Sequence, residues 1–180
     1  MAIIDVLIAV DTATLAQQVK DGSIKAGSQS RPTSLGSYDN TNVYITIITP
    51  VGNVSNNSQK QSDLTVNCTN SDLIQWAITS FSNNFDHSVS LYKVGRVNGF
   101  PAIKASYQSS QTNNYLPAPG EGASIGNITE YINQVASVQT KVIKRYALSF
   151  QLIDNSSGKT IGYFCIGSAY SNQLTFNYSL

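Results

Sequence analysis

The sequence is poor in charged residues. Asp, Glu, Lys and Arg make up 12% of the 180 residues, and the formal net charge is only +1. This is about half the charged share of an average soluble protein. No basic block occurs, whereas a nucleic acid or an anionic membrane would need clustered Lys and Arg, so we expect neither as a partner. A surface with so little net charge repels its own copies weakly, which permits a homo-oligomer.

The residues that build metal and redox sites are also scarce. The chain has one histidine, His87, and two cysteines, Cys68 and Cys165, which lie far apart in apparent strands. These residues cannot form a zinc site, and neither a calcium-binding loop nor a glycine-rich phosphate loop occurs. We predict no metal and no cofactor. The two cysteines are interpreted as small buried hydrophobic residues in a reducing compartment, in preference to a disulfide.

A hydrolase would need a nucleophile, a base and an orienting group within hydrogen-bond reach. No G-x-S-x-G elbow precedes His87, and His87 has only its sequence neighbour Asp86, so a solvated turn histidine is the favoured interpretation. Paired carboxylates could support glycosidase chemistry, but no spacing singles out a pair. The acidic residues considered are Asp39, Asp63, Asp72, Asp86, Glu121 and Glu130. We predict no catalytic residues and rank a hydrolase last.

The first residues have neither the basic start of a signal peptide nor an uninterrupted apolar run. Asp5 and Asp11 break the apolar segment, which excludes a membrane span there. A chain of 180 residues fits one domain, and we assign residues 1–180 to it.

What the sequence does contain is alternation of apolar and polar residues, the period of a β-strand with one buried face. Segments with this pattern or with a short apolar run are 4–10, 43–47, 64–68, 74–78, 88–92, 103–107, 142–154, 161–168 and 174–180. Many short strands between clusters of turn residues are typical of a β-sandwich. The predicted fold is a mainly-β, single-domain, jelly-roll-like β-sandwich with one or two short helices.

Residues 71–94 carry the strongest strand signals, and we interpret them as a hairpin. Ile74, Trp76 and Ile78 share one face of the first strand, so Trp76 is assigned to the core in preference to a ligand platform. Val89 and Leu91 share one face of the second strand. The polar residues 82–87 form the connecting loop.

Two segments have helical features. Thr12 or Thr14 can cap a short helix that ends at Asp21-Gly22. Asn127 with Glu130 resembles a capping box, and the spacing of the apolar residues that follow predicts a second helix. Residues 23–42, 51–62 and 109–126 are predicted to be long surface loops.

A carbohydrate or small-ligand site needs an aromatic platform and a few polar side chains, and the Asn-, Asp- and Tyr-rich loops supply both. The residues assigned to such a lectin-like site are Asp39, Asn83, Asn84, Asp86, His87 and Tyr115. A lectin-like β-sandwich is the alternative to a self-associating protein without enzymatic activity.

Several dispersed segments together resemble the PixA/AidA inclusion-body protein family of bacteria. They are IIDVLIAVDT at 3–12, YITIIT at 44–49, SDLIQW at 71–76, Asn84, Asp86, Leu91, Tyr92, YALSF at 146–150 and GYF at 162–164. The family pattern G-D-x-I-R-W is met at 71–76 with Ser71 in place of Gly and Gln75 in place of Arg.

The resemblance implies a cytoplasmic bacterial protein that is abundant in dense or stationary-phase cells or linked to quorum sensing. It also implies that members are in some cases packed into crystalline inclusions. It implies no known reaction and supplies no catalytic residues, so the expected protein is not an enzyme.

Overall fold

The structure is a computed structural model that describes residues 2–35, 43–54, 64–69, 72–96, 105–118, 121–135, 144–166 and 174–179. The elements, in chain order, are β1 Ile3–Val10, α1 Thr12–Lys20, β2 Thr33–Ser34, β3 Ile45–Ile48, β4 Thr65–Thr69, β5 Leu73–Ser80, β6 His87–Arg96, β7 Ala105–Ala118, β8 Glu121–Val135, β9 Lys144–Asp154, β10 Lys159–Ile166 and β11 Leu174–Ser179. A single 3-10 turn, Val51–Asn53, follows β3.

The described strands form two mixed sheets. The first sheet has the order β3-β1-β5-β8-β7, and its central pair, β1 and β5, is parallel. The second sheet has the order β2-β10-β9-β11-β4, with β6 also paired to β9. Strands β2 and β4 join this sheet through parallel pairing with β10 and β11, respectively.

One hydrophobic cluster joins the inner faces of the two sheets, which makes the fold a sandwich. Trp76 from the first sheet and Phe150 and Phe164 from the second are its largest fully buried side chains. The rings of Phe150 and Phe164 lie 5.9 Å apart between centroids. The inward faces predicted for β5 and β6 are confirmed, because Ile74, Trp76, Val89 and Leu91 are buried. The mainly-β sandwich is also confirmed, with one α-helix in the described residues.

The interpretation of residues 71–94 as a hairpin is wrong, although both of its strands exist. One edge of β5 pairs with β1 along its whole length, and the other edge pairs with β8 at Ile74, Gln75 and Trp76. Strand β6 pairs with β9 in the opposite sheet. The chain therefore crosses from one sheet to the other between Ser80 and His87.

The loop predicted at 109–126 and the helix predicted after Asn127 are also wrong. Strands β7 and β8 form a long antiparallel hairpin in which Ser109 pairs with Tyr131 and Asn127 with Asn113. The segment is rich in Ile, Thr and Val, which are poor helix formers and favour strands. Pairing along the whole hairpin outweighs one local capping signal.

Two smaller predictions are corrected at the N-terminal side. The cap of α1 is Asp11, whose carboxylate accepts hydrogen bonds from the Thr14 backbone N–H at 3.1 Å and the Thr14 hydroxyl at 2.7 Å. The supposed loop at 23–42 contains β2, preceded by a close approach of Gly27 to Tyr163. A Cβ on Gly27 would lie 2.4 Å from both Thr33 N and Tyr163 O.

Within the described residues the remaining strand predictions are confirmed, including the β9–β10 hairpin with its turn at 155–158. The predicted strand residues 103–104, 142–143, 167–168 and 180 lie outside the described residues. Cys165 is a free, half-buried thiol, and burial raises its pKa. Cys68 lies in β4. No helix of the described segments is both long and apolar enough to cross a membrane.

Candidate functional site

Three of the six predicted site residues, Asn83, Asn84 and Asp86, lie in the crossover loop, residues 81–86, between β5 and β6. His87 is the first residue of β6. Tyr115 lies in β7, and Asp39 lies outside the described residues. The structure therefore brings four of the predicted residues into one short segment at an end of the sandwich.

The crossover loop is held in shape by Asn84. Its backbone has φ 59°, a left-handed conformation that Asn tolerates better than most residues. Its side-chain Oδ1 accepts hydrogen bonds from the backbone N–H groups of Ser80 at 3.1 Å and Val89 at 3.4 Å. Its own N–H donates to the Ser80 hydroxyl at 2.6 Å. The amide oxygen of Asn84 is therefore occupied by hydrogen bonds within the fold, so it has little capacity left to accept a hydrogen bond from a ligand.

A second asparagine, Asn155, ties the crossover loop to the β9–β10 turn. Its side-chain Nδ2 donates to the carbonyl oxygens of Asn84 at 2.7 Å and Phe85 at 3.0 Å. Its backbone N–H donates to the carbonyl oxygen of Asp86 at 3.2 Å. The sequence identified 155–158 only as a turn, because a contact across 70 residues leaves no local signal.

His87 faces Asp154 across the β6–β9 pair. The Asp154 carboxylate accepts hydrogen bonds from the hydroxyls of Ser157 at 2.6 Å and Ser156 at 2.7 Å, and from the Ser156 N–H at 2.9 Å. These bonds, with a small contribution from His87, lower the pKa of Asp154 to about 2. The carboxylate is thus used to cap the turn.

His87 is half-buried at the start of β6, so the prediction of a solvated turn histidine is wrong. Strand pairing with β9 draws it out of the loop. Its Nδ1 is buried and has no hydrogen-bond partner within the described ranges. The described residues also contain no cluster of His, Cys, Asp or Glu that could hold a metal ion.

Three exposed aromatic side chains lie at the same end of the sandwich, and we call Tyr44, Phe81 and Phe85 the aromatic patch. Their exposed fractions are 42%, 51% and 83%. The rings of Tyr44 and Phe81 are in contact, with centroids 5.6 Å apart. Backbone hydrogen bonds fix this pair, because Phe81 N–H donates to Val10 O and Asp11 N–H donates to Tyr44 O. The patch could not be predicted from the sequence, since Tyr44 and Phe81 meet only through β1.

The two mixed sheets, their shared core and the crossover loop define a mainly-β sandwich protein. Comparison with protein families matches residues 2–168 to PixA, the inclusion body protein. The chain therefore belongs to the PixA inclusion body protein family, and the resemblance noted in the sequence is confirmed.

A solved structure supports the same fold. The crystal structure of an inclusion body protein of the PixA family from Burkholderia cenocepacia superposes with a TM-score of 0.69 at 16% sequence identity. The match covers 99% of this chain and 96% of the other. A comparison with curated proteins gave no match.

Proposed function

We propose that the protein is a non-enzymatic cytoplasmic protein that self-associates and accumulates in inclusion bodies of dense or stationary-phase cells. Membership of the inclusion body protein family supports this proposal. The observation that carries it is the aromatic patch, since Phe81 and Phe85 hold more than half of their surface in water. The net charge of +1 leaves little repulsion between copies.

The patch has the size expected for weak association. With about 200 Å² for each aromatic side chain, a second copy could remove roughly 350 Å² from water. At about 25 cal/mol per Å² this contributes ~9 kcal/mol, against an association cost of ~4–15 kcal/mol. The gain lies inside the range of the cost, so one such contact supports at most weak, reversible assembly. A dense inclusion needs a second contact as well.

Light scattering over a wide concentration range tests the proposal. The average mass should rise with concentration for the native protein. The double variant Phe81→Ser/Phe85→Ser should need at least about tenfold more protein to reach the same mass. Ile3→Ser is the matched control, because Ile3 is 59% exposed at the opposite end of β1. A native protein that stays monomeric at every concentration would refute the proposal. A double variant that assembles like the control would refute the role of the aromatic patch.

Carbohydrate or small-ligand binding is the second candidate function. One observation favours it: Phe85, with 83% of its surface exposed, adjoins the exposed Asp86 and lies near the exposed Asn83. An aromatic face beside carboxylate and amide groups suits a sugar. Tyr115 and Asp39 stay part of this proposal as further polar and aromatic groups.

A sugar library screened by NMR chemical-shift changes tests this second function. Binding should perturb the crossover loop, and Phe85→Ala and Asp86→Asn should each weaken it, while Ile3→Ser should not. A library with no hit argues against the site. A hit that both loop variants bind unchanged would place the sugar elsewhere.

A further inference from the structure

Strand β3 lies at one edge of the first sheet. Strand β3 pairs with β1 on one side, and no described strand pairs with the other side. The Asp11 N–H donates a hydrogen bond to Tyr44 O at 2.8 Å. In an antiparallel pair only every second residue of a strand bonds to its neighbour, so this bond shows which residues of β3 bond to β1. Tyr44, Thr46 and Ile48 therefore direct their backbone groups towards β1. The backbone groups of Ile45 and Ile47 point outward.

Natural edge strands are usually guarded by charged residues, proline or bulges. This edge has no such protection within the strand, because no charged residue occurs from position 40 to position 59, and Pro50 comes only after β3. The strand itself, ITII, consists of β-branched residues, which favour an extended chain. Its inward side chains, Ile45 and Ile47, are 5% and 1% exposed and are held by the core.

We propose that β3 pairs antiparallel with β3 of a second copy, about a twofold axis at Thr46, so that two copies share one continuous sheet. The proposal deepens the proposed self-association and rests on it. An axis at Thr46 lies within β3. It joins the outward N–H and C=O groups of Ile45 in one copy to those of Ile47 in the other, and the reverse.

The outer face of β3 is self-complementary about this axis. Thr46 faces Thr46 of the second copy, and Tyr44 faces Ile48 of the second copy. Hydroxyl pairs and pairs of an aromatic with a β-branched residue stabilise adjacent antiparallel strands. Since the segment is uncharged, the twofold axis brings no like charges together.

The twofold contact and the aromatic patch have different roles. An interface that uses the same surface of both copies closes at a dimer, so it cannot by itself build an inclusion. Each dimer presents two aromatic patches, because each Tyr44 adjoins its own Phe81. The dimer is therefore the unit that the patch contacts link further.

Disulfide trapping tests the pairing. At a pair without backbone hydrogen bonds the Cα atoms lie about 4.5 Å apart, within the usual range for a disulfide. In a Cys68→Ser/Cys165→Ser background, Thr46→Cys should give a covalent dimer under mild oxidation. Thr79→Cys is the control, because Thr79 is half-buried on the same outer face but lies in β5, inside the sheet. Trp76 fluorescence reports whether each variant is folded.

A charge at the axis gives an independent measurement. Thr46→Lys places two ammonium groups opposite each other, so the dimer should be lost at concentrations where native protein and Thr79→Lys retain it. If Thr46→Cys cross-links no better than the control while light scattering still shows assembly, the edge pairing is wrong and self-association stands. If the native chain never assembles, both the edge pairing and the proposed self-association are wrong.

Discussion

Replacement of Asn84 tests whether the crossover loop is held by a single amide. Asn84→Ala removes the acceptor of the Ser80 and Val89 N–H groups, and it places alanine at φ 59°. Each lost hydrogen bond costs about 0.5–1.5 kcal/mol, and the left-handed backbone costs alanine about 1–2 kcal/mol. We expect the free energy of unfolding to fall by ~2–5 kcal/mol. Asn84→Gly keeps the backbone relaxed and should lose only the hydrogen-bond part, ~1–3 kcal/mol.

Urea unfolding followed by the fluorescence of Trp76 measures these losses, because Trp76 is the only tryptophan and is 1% exposed. A change in midpoint at constant slope reports stability. Asn83 is the matched control, since it also has a left-handed backbone, φ 52°, but its side chain is exposed. Asn83→Ala should lose only the backbone part, ~1–2 kcal/mol. Equal losses at positions 83 and 84 would refute the role given to the Asn84 amide.

Three other predictions concern the fold. Gly27→Ala should lower the free energy of unfolding by at least ~2 kcal/mol in the same urea assay, because a Cβ collides with Thr33 N and Tyr163 O, while Gly52→Ala, with open space around it, should be neutral. The pKa of the Asp154 carboxyl should be about 2 when measured by NMR titration. The stability that this carboxylate contributes is present above about pH 4 and is lost as the pH falls through 2. Ser157→Ala should raise the pKa of Asp154. Phe150→Ala should cost ~3–5 kcal/mol by urea unfolding and Phe150→Leu clearly less, and a small loss for Phe150→Ala would contradict its place in the core.

The strand positions could be predicted because a strand with one buried face has an apolar residue at every second position. Ile4 to Val10 in β1 and Leu148 to Leu152 in β9 show that alternation, and their inward residues are buried. The pairing of strands could not be predicted in the same way. Strand β5 follows the pattern of a hairpin strand, yet its neighbours β1 and β8 come from remote parts of the chain.

In the candidate site, too, the local features could be predicted from the sequence and the long-range contacts could not. Asn83 and Asn84 were recognisable as turn residues, because Asn tolerates a positive φ. Three other features depend on tertiary structure. They are the hydrogen bonds of the Asn155 amide, the contact of Tyr44 with Phe81, and the position of β3 at a sheet edge. No spacing rule connects residues that meet only after both sheets have formed.

The parallel pairing of β2 with β10 and of β4 with β11 has a consequence for synthesis on the ribosome. Thr33 and Ser34 pair with Phe164 and Cys165, and Thr65 pairs with Thr175. At a translation rate of about 5–20 residues per second, β2 waits on the order of ten seconds for its partner. The first sheet can pair β1 with β3 and β5 long before that, so the nascent chain presents the β3 edge while the second sheet is incomplete. Crowded polysomes that make this protein at high level would bring such edges together before folding is finished.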